Sequence, residues 1–251
     1  MVKSVAVLSD IHGVLPALDA VLAEPDVAAA EVVVLLGDLA AGPMPAETLE
    51  RLAALGDRAR WIRGNADREL VSLAAGGETA IPDPIVPWAA GQLSPGHVAA
   101  LDRLPTTLTL DVDGLGEVLF CHATPRDDVE IVLVDSPLSR WAEVLTGVTA
   151  ATVVCGHTHM PFTRLADRTL VVNPGSVGMP YGTTGAHWAL LGEGVQLRRT
   201  VFDAEAACRA LIAGSGYPGI EEWADYFVRH PASDAEALRV FSASARGTNA
   251  T

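Results

Sequence analysis

The sequence contains few cysteines, and their number excludes a disulfide framework. Three are present among 251 residues, Cys121, Cys155 and Cys208, and a small, odd set does not form the paired pattern of a disulfide-stapled domain. Cys121 and Cys155 each end an apolar run, so we interpret both as small buried hydrophobic side chains rather than metal ligands. A chain of this length can bury a sizeable core without disulfides.

Basic side chains are also scarce. The chain has 17 Lys and Arg against 31 Asp and Glu, which gives a formal net charge of -14 at pH 7. No cluster of Lys or Arg is present, and binding to a nucleic-acid backbone needs such clusters. The composition therefore argues against nucleic acid as a stable partner. An anionic substrate is not excluded, because bound dications would reverse the local field.

No apolar run is long enough to cross a bilayer, although hydrophobic residues make up 49% of the chain. The short apolar start leads directly into Asp10 and has neither the basic flank nor the cleavage site of a signal peptide. We therefore predict a cytoplasmic protein with no membrane partner.

Short buried strands and helices alternate in the first half of the chain, and the second half is rich in strands. Val-, Ile- and Leu-rich runs predict strands at Ser4 to Ser9, Val32 to Leu36, Leu119 to Cys121 and Ala151 to Cys155. Hairpin patterns predict further strands at Phe162 to Leu165, Thr169 to Val172, His187 to Leu191 and Val195 to Phe202. This order predicts an α/β fold, a four-layer α/β/β/α sandwich of two mixed sheets flanked by helices.

We predict three segments in the chain. Residues 1–202 form the sandwich domain, residues 203–241 form a helical extension packed on it, and residues 242–251 form a disordered tail. The extension could cover a sheet, shape access to a substrate or form a dimer contact, so a homodimer remains open.

Polar side chains follow several of these strands, at the edge where ligands bind in open α/β sheets. The set is Asp10, His12, Asp38, Asn65, His122, His157 and His159. Residues two apart in an extended segment point to the same side, so Asp10 with His12, and His157 with His159, can aim at one cavity.

The donor chemistry of this set indicates two metal ions. Carboxylate oxygen mixed with imidazole and an Asn carbonyl suits Mn, Fe, Zn or Ni better than calcium. Seven groups are too many for one open site and suit two ions that share a bridging carboxylate. Two ions roughly 3.5–4 Å apart can clamp the oxygens of an in-line displacement, with a bridging hydroxide as nucleophile.

The motifs resemble the calcineurin-like metallophosphoesterase family over roughly residues 4 to 202. The resemblance rests on Asp10-Ile11-His12, Gly37-Asp38, Gly64-Asn65, His122 and Gly156-His157-Thr158-His159. Within the family, the chain more closely resembles the small bacterial and archaeal phosphodiesterases, because of Arg63-Gly64-Asn65-Ala66-Asp67 and Asn173-Pro174-Gly175-Ser176-Val177.

The resemblance implies the α/β/β/α sandwich and a role for each residue of the set. Asp10, His12 and His159 would hold one metal. Asn65, His122 and His157 would hold the second, and Asp38 would bridge the two. Asp38, Asn65 and His122 would be catalytic, and Asn65 could also touch the substrate phosphate. We expect two divalent ions, with manganese first and Fe, Zn or Ni as alternatives.

Three nearby residues leave alternatives open. Many family members have a histidine where this chain has Ala66, which cannot move a proton. We therefore expect that the leaving group needs little acid assistance, or that water or the substrate supplies the proton. Asp67 could orient a ligand, or it could be an ordinary carboxylate at a helix N-terminus. Arg126 could clamp a phosphate oxygen, or it could pair with Asp127 or Asp128 on the surface.

The leading prediction is a metal-dependent phosphodiesterase, or phosphomonoesterase, acting on a small phosphate ester or nucleotide. One alternative is a protein Ser/Thr phosphatase or a dinucleoside polyphosphate hydrolase of the same superfamily. Another is a scaffold that keeps the fold without turnover. The complete ligand set argues against the scaffold.

Overall fold

In the computed structural model of the protein, which describes residues 1–247, ten strands form two five-stranded sheets. The strands are β1 (Val5–Leu8), β2 (Val32–Leu35), β3 (Ala59–Trp61), β4 (Thr107–Val112), β5 (Gly116–Cys121), β6 (Thr152–Val154), β7 (Phe162–Ala166), β8 (Thr169–Asn173), β9 (Ala186–Leu191) and β10 (Val195–Thr200). The α-helices are α1 (Leu15–Leu22), α2 (Pro25–Ala29), α3 (Pro45–Ala53), α4 (Asn65–Ala74), α5 (Ile85–Ala90), α6 (Pro95–Asp102), α7 (Leu138–Val144), α8 (Ala204–Gly214), α9 (Ile220–Ala224) and α10 (Asp234–Gly247).

Both sheets are mixed, with parallel strands at their centres. The first sheet has the order β10-β9-β1-β2-β3, in which β1, β2 and β3 are parallel and β9 and β10 are antiparallel. The second has the order β4-β5-β6-β8-β7, in which β5, β6 and β8 are parallel and the two edge strands are antiparallel. The carboxyl ends of parallel strands meet at one edge of each sheet.

The two sheets pack face to face through alternate residues of their strands. Val5 and Val7 of β1 contribute to the inter-sheet core together with Phe120 and Val154 from the second sheet. Ala6 and Leu8, which point the opposite way because strand side chains alternate, belong to the core beneath α1. Strands buried on both faces need continuous apolar sequence, which is why β1 reads VAVL.

Helices cover the outer faces. Trp141 and Val144 of α7 pack against Val153 and Val171 on the second sheet. The α/β/β/α sandwich predicted from the sequence is confirmed. The three cysteines are free and buried, and burial was predicted from the sequence for Cys121 and Cys155. No described helix is both long enough and apolar enough to cross a membrane.

The helices after Phe202 pack on the sandwich in two places. Cys208 and Leu211 of α8 and Trp223 of α9 join the core beneath the first sheet, and Ala237 of α10 packs near Met160. Helix α10 continues to Gly247 and so includes the first part of segment 242–251, for which the sequence predicted a disordered tail. An anchored helix extends readily because each further residue adds a backbone hydrogen bond. Residues 248–251 lie outside the described part of the chain.

Candidate metal centre

The seven predicted ligands come from loops that follow strands of both sheets. Asp10 and His12 follow β1, Asp38 follows β2, and Asn65 begins α4 just after β3. His122 directly follows β5, and His157 and His159 lie in the loop after β6. The carboxyl edges of the two sheets therefore face one another at a single site.

Three of these residues form one compact group of donor atoms. Asp10, His12 and His159 each offer an atom that lies within 4.8 Å of the other two, a spacing that could hold a metal ion. The Nε2 atoms of His12 and His159 are 3.2 Å apart, and Asp10 Oδ1 is 3.2 Å from His159 Nε2. Two imidazole nitrogens this close need a proton or a cation between them.

Asp38, His122 and His157 form a second group with the same spacing. Asn65 joins it, because its amide oxygen lies 3.1 Å from His122 Nε2. With the amide turned over, its nitrogen would lie 3.1 Å from His122 Nε2 and 3.0 Å from His157 Nδ1. The Asn65 amide therefore lies between the two imidazoles.

Asp38 lies between the two groups. Its Oδ1 is 3.4 Å from His122 Nε2, and its Oδ2 is 3.7 Å from His12 Nε2. The backbone N–H of Ala66 donates to Oδ1 at 2.8 Å and fixes the carboxylate. A carboxylate whose two oxygens face different groups has the geometry of a bridging ligand.

The loops reach this geometry through an unusual backbone. Asp10, His12, Asp38, His157 and His159 all have positive φ, between 48° and 65°. This left-handed region is uncommon for residues other than glycine and is concentrated at functional sites. The sequence analysis assumed extended backbone for Asp10 with His12 and for His157 with His159, and from this it predicted that they point into one cavity. The backbone there is left-handed rather than extended. Each of these residues is held individually in a left-handed turn.

Three of the histidines are oriented by hydrogen bonds on the side away from the centre. The Nδ1 atoms lie within hydrogen-bond distance of backbone carbonyls: His12 to Ala41 at 3.2 Å, His122 to Leu36 at 2.8 Å and His159 to Met179 at 2.8 Å. A carbonyl only accepts, so Nδ1 carries a hydrogen and Nε2 is the ring nitrogen that faces the centre.

The buried carboxylates of the centre remain ionised. Burial opposes ionisation of Asp10 and Asp38, but the adjoining His159 and His122 lower the pKa of each carboxyl below its ordinary value. Burial, together with the charge of His122, lowers the pKa of His157 to about 4. The centre thus combines anionic carboxylates with a neutral imidazole, a combination that binds cations.

One carboxylate oxygen has an unmet bonding requirement. Asp10 Oδ2 accepts hydrogen bonds from Ser9 Oγ at 2.5 Å and from the His157 N–H at 3.1 Å. Asp10 Oδ1 is buried and has no hydrogen-bond donor among the described residues. An unpaired buried carboxylate oxygen is costly, and a cation between Asp10, His12 and His159 would compensate for it.

Asp67 contacts both the start of a helix and the loop that carries Asp38. It lies in the first turn of α4 and accepts the backbone N–H of Gly64 at 3.0 Å. It also accepts the N–H groups of Asp38 and Leu39, each at 2.9 Å. Burial and the neighbouring Asp38 carboxylate raise the pKa of Asp67 to about 7. Asp67 therefore ties the start of α4 to the loop that carries Asp38.

Arg126 pairs with carboxylates other than those the sequence suggested. Its guanidinium contacts Glu130 at 2.6 Å and Glu143 at 2.7 Å, rather than Asp127 or Asp128. The side chain also lines a cavity of about 300 Å³ that includes His122. Arg126 thus lies near the centre, but its guanidinium group already forms ion pairs with two carboxylates.

Other residues hold the ligand loops, and sequence motifs indicated only some of them. Asn173 Nδ2 donates to the Gly156 carbonyl at 2.8 Å, and Ser176 Oγ donates to the Asp10 carbonyl at 2.7 Å. The turn after β8 therefore supports the loops of both sheets. The sequence did not single out Ser9 or the Met179 carbonyl, because a hydroxyl in an apolar run and a backbone atom have no distinctive pattern.

Residues 4–193 match the family model described as the calcineurin-like phosphoesterase superfamily domain. The chain belongs to this superfamily, and it is a phosphoric ester hydrolase by class. The resemblance and the enzyme class that the sequence predicted are confirmed.

Particular relatives agree with this class. Phosphodiesterase YfcE of Escherichia coli (strain K12) is 27% identical over 200 residues, which covers 73% of this chain and 84% of the relative. Two solved structures have the same fold. A metallophosphoesterase from Sphaerobacter thermophilus has a TM-score of 0.71 at 22% identity and covers 91% of this chain and 100% of its own. The hypothetical protein PH1004 from Pyrococcus horikoshii OT3 has a TM-score of 0.75 at 22% identity and covers 91% and 99%.

Proposed function

We propose that the protein is a phosphodiesterase that uses two divalent metal ions. Asp10, His12 and His159 would hold one ion, and Asn65, His122 and His157 the other. The position of Asp38 carries the proposal, because its two carboxylate oxygens face histidines of different groups at 3.4 and 3.7 Å. The name of the E. coli relative, a phosphodiesterase, supports diesters over monoesters.

The residues present fit two such ions. The donors are imidazole nitrogens, carboxylate oxygens and one amide, a set that suits Mn, Fe, Zn or Ni. The unpaired Asp10 Oδ1 and the close His12 and His159 nitrogens mark one cation position. We propose manganese as the first ion, with Fe, Zn or Ni as alternatives that the same donor set accepts.

When bound, two such ions would activate water as the nucleophile and stabilise charge on the phosphoryl oxygens. The protein supplies the geometry for this. Carbonyl partners fix the histidine rings, and the Ala66 N–H fixes Asp38. Asn65, beside His122 at the start of α4, is placed to donate to a phosphate oxygen. Ala66 supplies no proton, so the leaving group would depart with little help from the protein.

The partner we propose is a small phosphate ester or nucleotide. Arg126 remains a proposed substrate contact, although it would have to exchange its present carboxylate partners for phosphate. The cytoplasmic location and the homodimer both remain predictions.

The direct test compares wild type with Asp38→Asn after metal removal and reconstitution with manganese. We expect wild type to bind two ions per chain, counted by elemental analysis, and to hydrolyse bis(p-nitrophenyl) phosphate faster than p-nitrophenyl phosphate. Asp38→Asn should lose at least one ion and about 100-fold or more of kcat/KM. The neutral amide would no longer place a negative charge between the two ions that stabilise the transition state. Asp113→Asn is the matched control, since Asp113 is exposed.

The outcomes separate the alternatives. Two bound ions with no hydrolysis of either ester or of a nucleotide panel would favour the scaffold. Activity that survives complete metal removal would contradict the proposal.

A further inference from the structure

A second cavity lies beside the candidate metal centre, on the side of His159. It has a volume of about 340 Å³, and Tyr181 and Met160 are part of its wall. The Tyr181 ring stacks on the His159 imidazole, with centroids 5.8 Å apart and planes inclined by 30°. Met160 directly follows His159 in the chain. We call this space the His159-side cavity.

Most of the wall of the His159-side cavity is apolar. Val134, Met160, Phe162 and Leu238 supply this surface. A volume of about 300 Å³ or more, apolar walls and a few polar groups are typical of small-molecule sites. The size suits a single ring system better than an extended chain.

The polar groups of the wall disfavour a further anion. They include Thr183, His187 and Asp234, and none of the described wall residues is a lysine or arginine. His187 lies 3.2 Å from the Thr183 hydroxyl, and burial lowers its pKa, which disfavours a positive charge there. Arg199 is near His187 but donates to the Thr184 carbonyl. The charged group in the wall is therefore the Asp234 carboxylate.

The surroundings of the centre at His122 have a different character. His122 lines the other cavity of about 300 Å³, and Arg68, Arg126 and Asp128 surround it. The centre thus has a charged cavity at His122 and a mainly apolar one at His159. A phosphodiester has two substituents, and these two cavities could accept substituents of different polarity.

We infer that the His159-side cavity binds an uncharged, ring-bearing substituent of the phosphate ester, such as an aryl group or a nucleobase. This inference rests on the proposed function. It makes Leu238 and Tyr181 determinants of specificity. A substituent with its own phosphate would meet Asp234 without a compensating cation, so polyphosphate substituents are excluded from this cavity.

The cavity depends on the helical extension. Asp234 and Leu238 belong to α10, and Phe241 of the same helix packs edge-on against Tyr181 with centroids 6.0 Å apart. Helix α10 lies beyond residues 4–193, which match the family model. The selectivity would therefore come from a part of the chain that lies outside the family domain.

Phosphonates test this inference, because each carries one substituent that does not leave. Calorimetry on the manganese-loaded protein compares methylphosphonate, phenylphosphonate, 4-carboxyphenylphosphonate and a thymidine 5′-phosphonate. We expect phenylphosphonate to bind about tenfold or more tightly than methylphosphonate, a typical gain for filling an apolar pocket. The carboxylate of 4-carboxyphenylphosphonate should cancel this gain in affinity. The thymidine 5′-phosphonate shows whether the cavity binds a nucleoside as well as a simple aryl group.

Variants at Leu238 test whether the tighter binding of phenylphosphonate arises in this cavity. Leu238→Glu places a charge in the wall and Leu238→Trp fills the space, so both should reduce the phenyl-to-methyl ratio to about twofold or less. The Trp variant remains informative if the Glu variant fails to fold. Leu165→Glu and Leu165→Trp are matched controls at a leucine that is 68% exposed on β7, and they should keep the ratio.

A ratio near one in wild type, or a ratio that survives Leu238→Trp, overturns the cavity assignment. Hydrolysis of bis(p-nitrophenyl) phosphate by the same samples is measured separately. Intact hydrolysis without phenyl selectivity rejects the cavity alone. Selectivity without metal-dependent hydrolysis supports the cavity as a ligand site and rejects the proposed function.

Discussion

At the scale of single residues, the centre depends on side chains that satisfy buried backbone groups as much as on the candidate ligands. Asp67 accepts three backbone N–H groups, from Asp38, Leu39 and Gly64. Its own carboxylate is buried. The position of Asp38 is thus determined by a residue outside both groups of metal donors.

We predict that Asp67→Ala destabilises the protein strongly even without metal. Each buried N–H left without an acceptor costs about 1–3 kcal/mol, so we expect a loss of about 3 kcal/mol or more in the free energy of unfolding. Urea denaturation in the presence of a chelator measures it. Asp67→Asn keeps one acceptor oxygen and should lose less, and exposed Asp113→Ala is the control. Equal stability of Asp67→Ala and wild type would contradict this role.

Ala66 leads to a kinetic prediction. It is buried beside the Asp38 carboxylate, and its methyl group cannot donate a proton. A general acid contributes about 10²–10⁴-fold, so esters with poor leaving groups should react about 100-fold or more slowly than nitrophenyl esters. Single-turnover rates for a series of aryl methyl phosphates test this. A flat dependence on leaving-group pKa, with chemistry limiting the rate, would remove the hypothesis.

At the scale of elements, strand ends and the turns after them decide the geometry. β1, β2, β5 and β6, which precede most of the candidate ligands, were predictable because each contains a continuous apolar run, and their observed bounds differ from the predicted ones by a few residues. β3, which precedes Asn65, has no such run, because Arg60 at its centre is exposed. β4 was missed, since an edge strand with alternating, partly exposed residues has no such run. β10 ends at Thr200, before the predicted Phe202, because pairing with β9 stops at Ala186.

The turn before α4 allows a test with an otherwise mild substitution. Gly64 has ordinary φ, -91°, but a Cβ there would lie 2.1 Å from Asp38 Oδ1 and 2.4 Å from the Asp38 nitrogen. We predict that Gly64→Ala displaces Asp38 and lowers kcat/KM about 100-fold, because small misplacements of catalytic groups are costly.

Gly194→Ala is the control for Gly64→Ala, since a Cβ at Gly194 meets no atom within 4 Å. The variants are compared by metal content as well as by rate. Full metal binding and full activity in Gly64→Ala would show that the Asp38 loop can move away at little cost.

At the scale of the whole molecule, the centre draws side chains from both sheets, whose facing surfaces pack through apolar residues. Asp10 and His12 follow a strand of the first sheet, whereas His159 follows a strand of the second. Ions held by both sheets would bind the folded state and not the unfolded chain. They should therefore stabilise the fold by mass action.

We predict that metal removal lowers the melting temperature reversibly. At 100-fold excess over the dissociation constant, a ligand adds about 2.7 kcal/mol, which corresponds to about 5–10 °C for a domain of this size. Scanning calorimetry with chelator, and then with added manganese, measures the shift. Asp38→Asn should show a smaller shift than wild type. An identical shift in both proteins would mean that the stabilising ions bind elsewhere.

The sequence by itself determined the fold class and the set of chemical groups at the centre. Runs buried on both faces need continuous apolar residues, and polar groups at strand ends are conspicuous against them. The order of these groups along the chain was therefore informative before any contact was known.

The family resemblance implied how those groups divide, but only the tertiary structure decided the backbone geometry that separates them and the residues that surround them. His157 and His159 are two residues apart but belong to different donor groups, because left-handed turns rather than extended backbone orient them. The Arg126 partners and the contact of Tyr181 with α10 join segments distant in the chain. Packing between such segments follows from the arrangement of whole elements, which local sequence patterns do not specify.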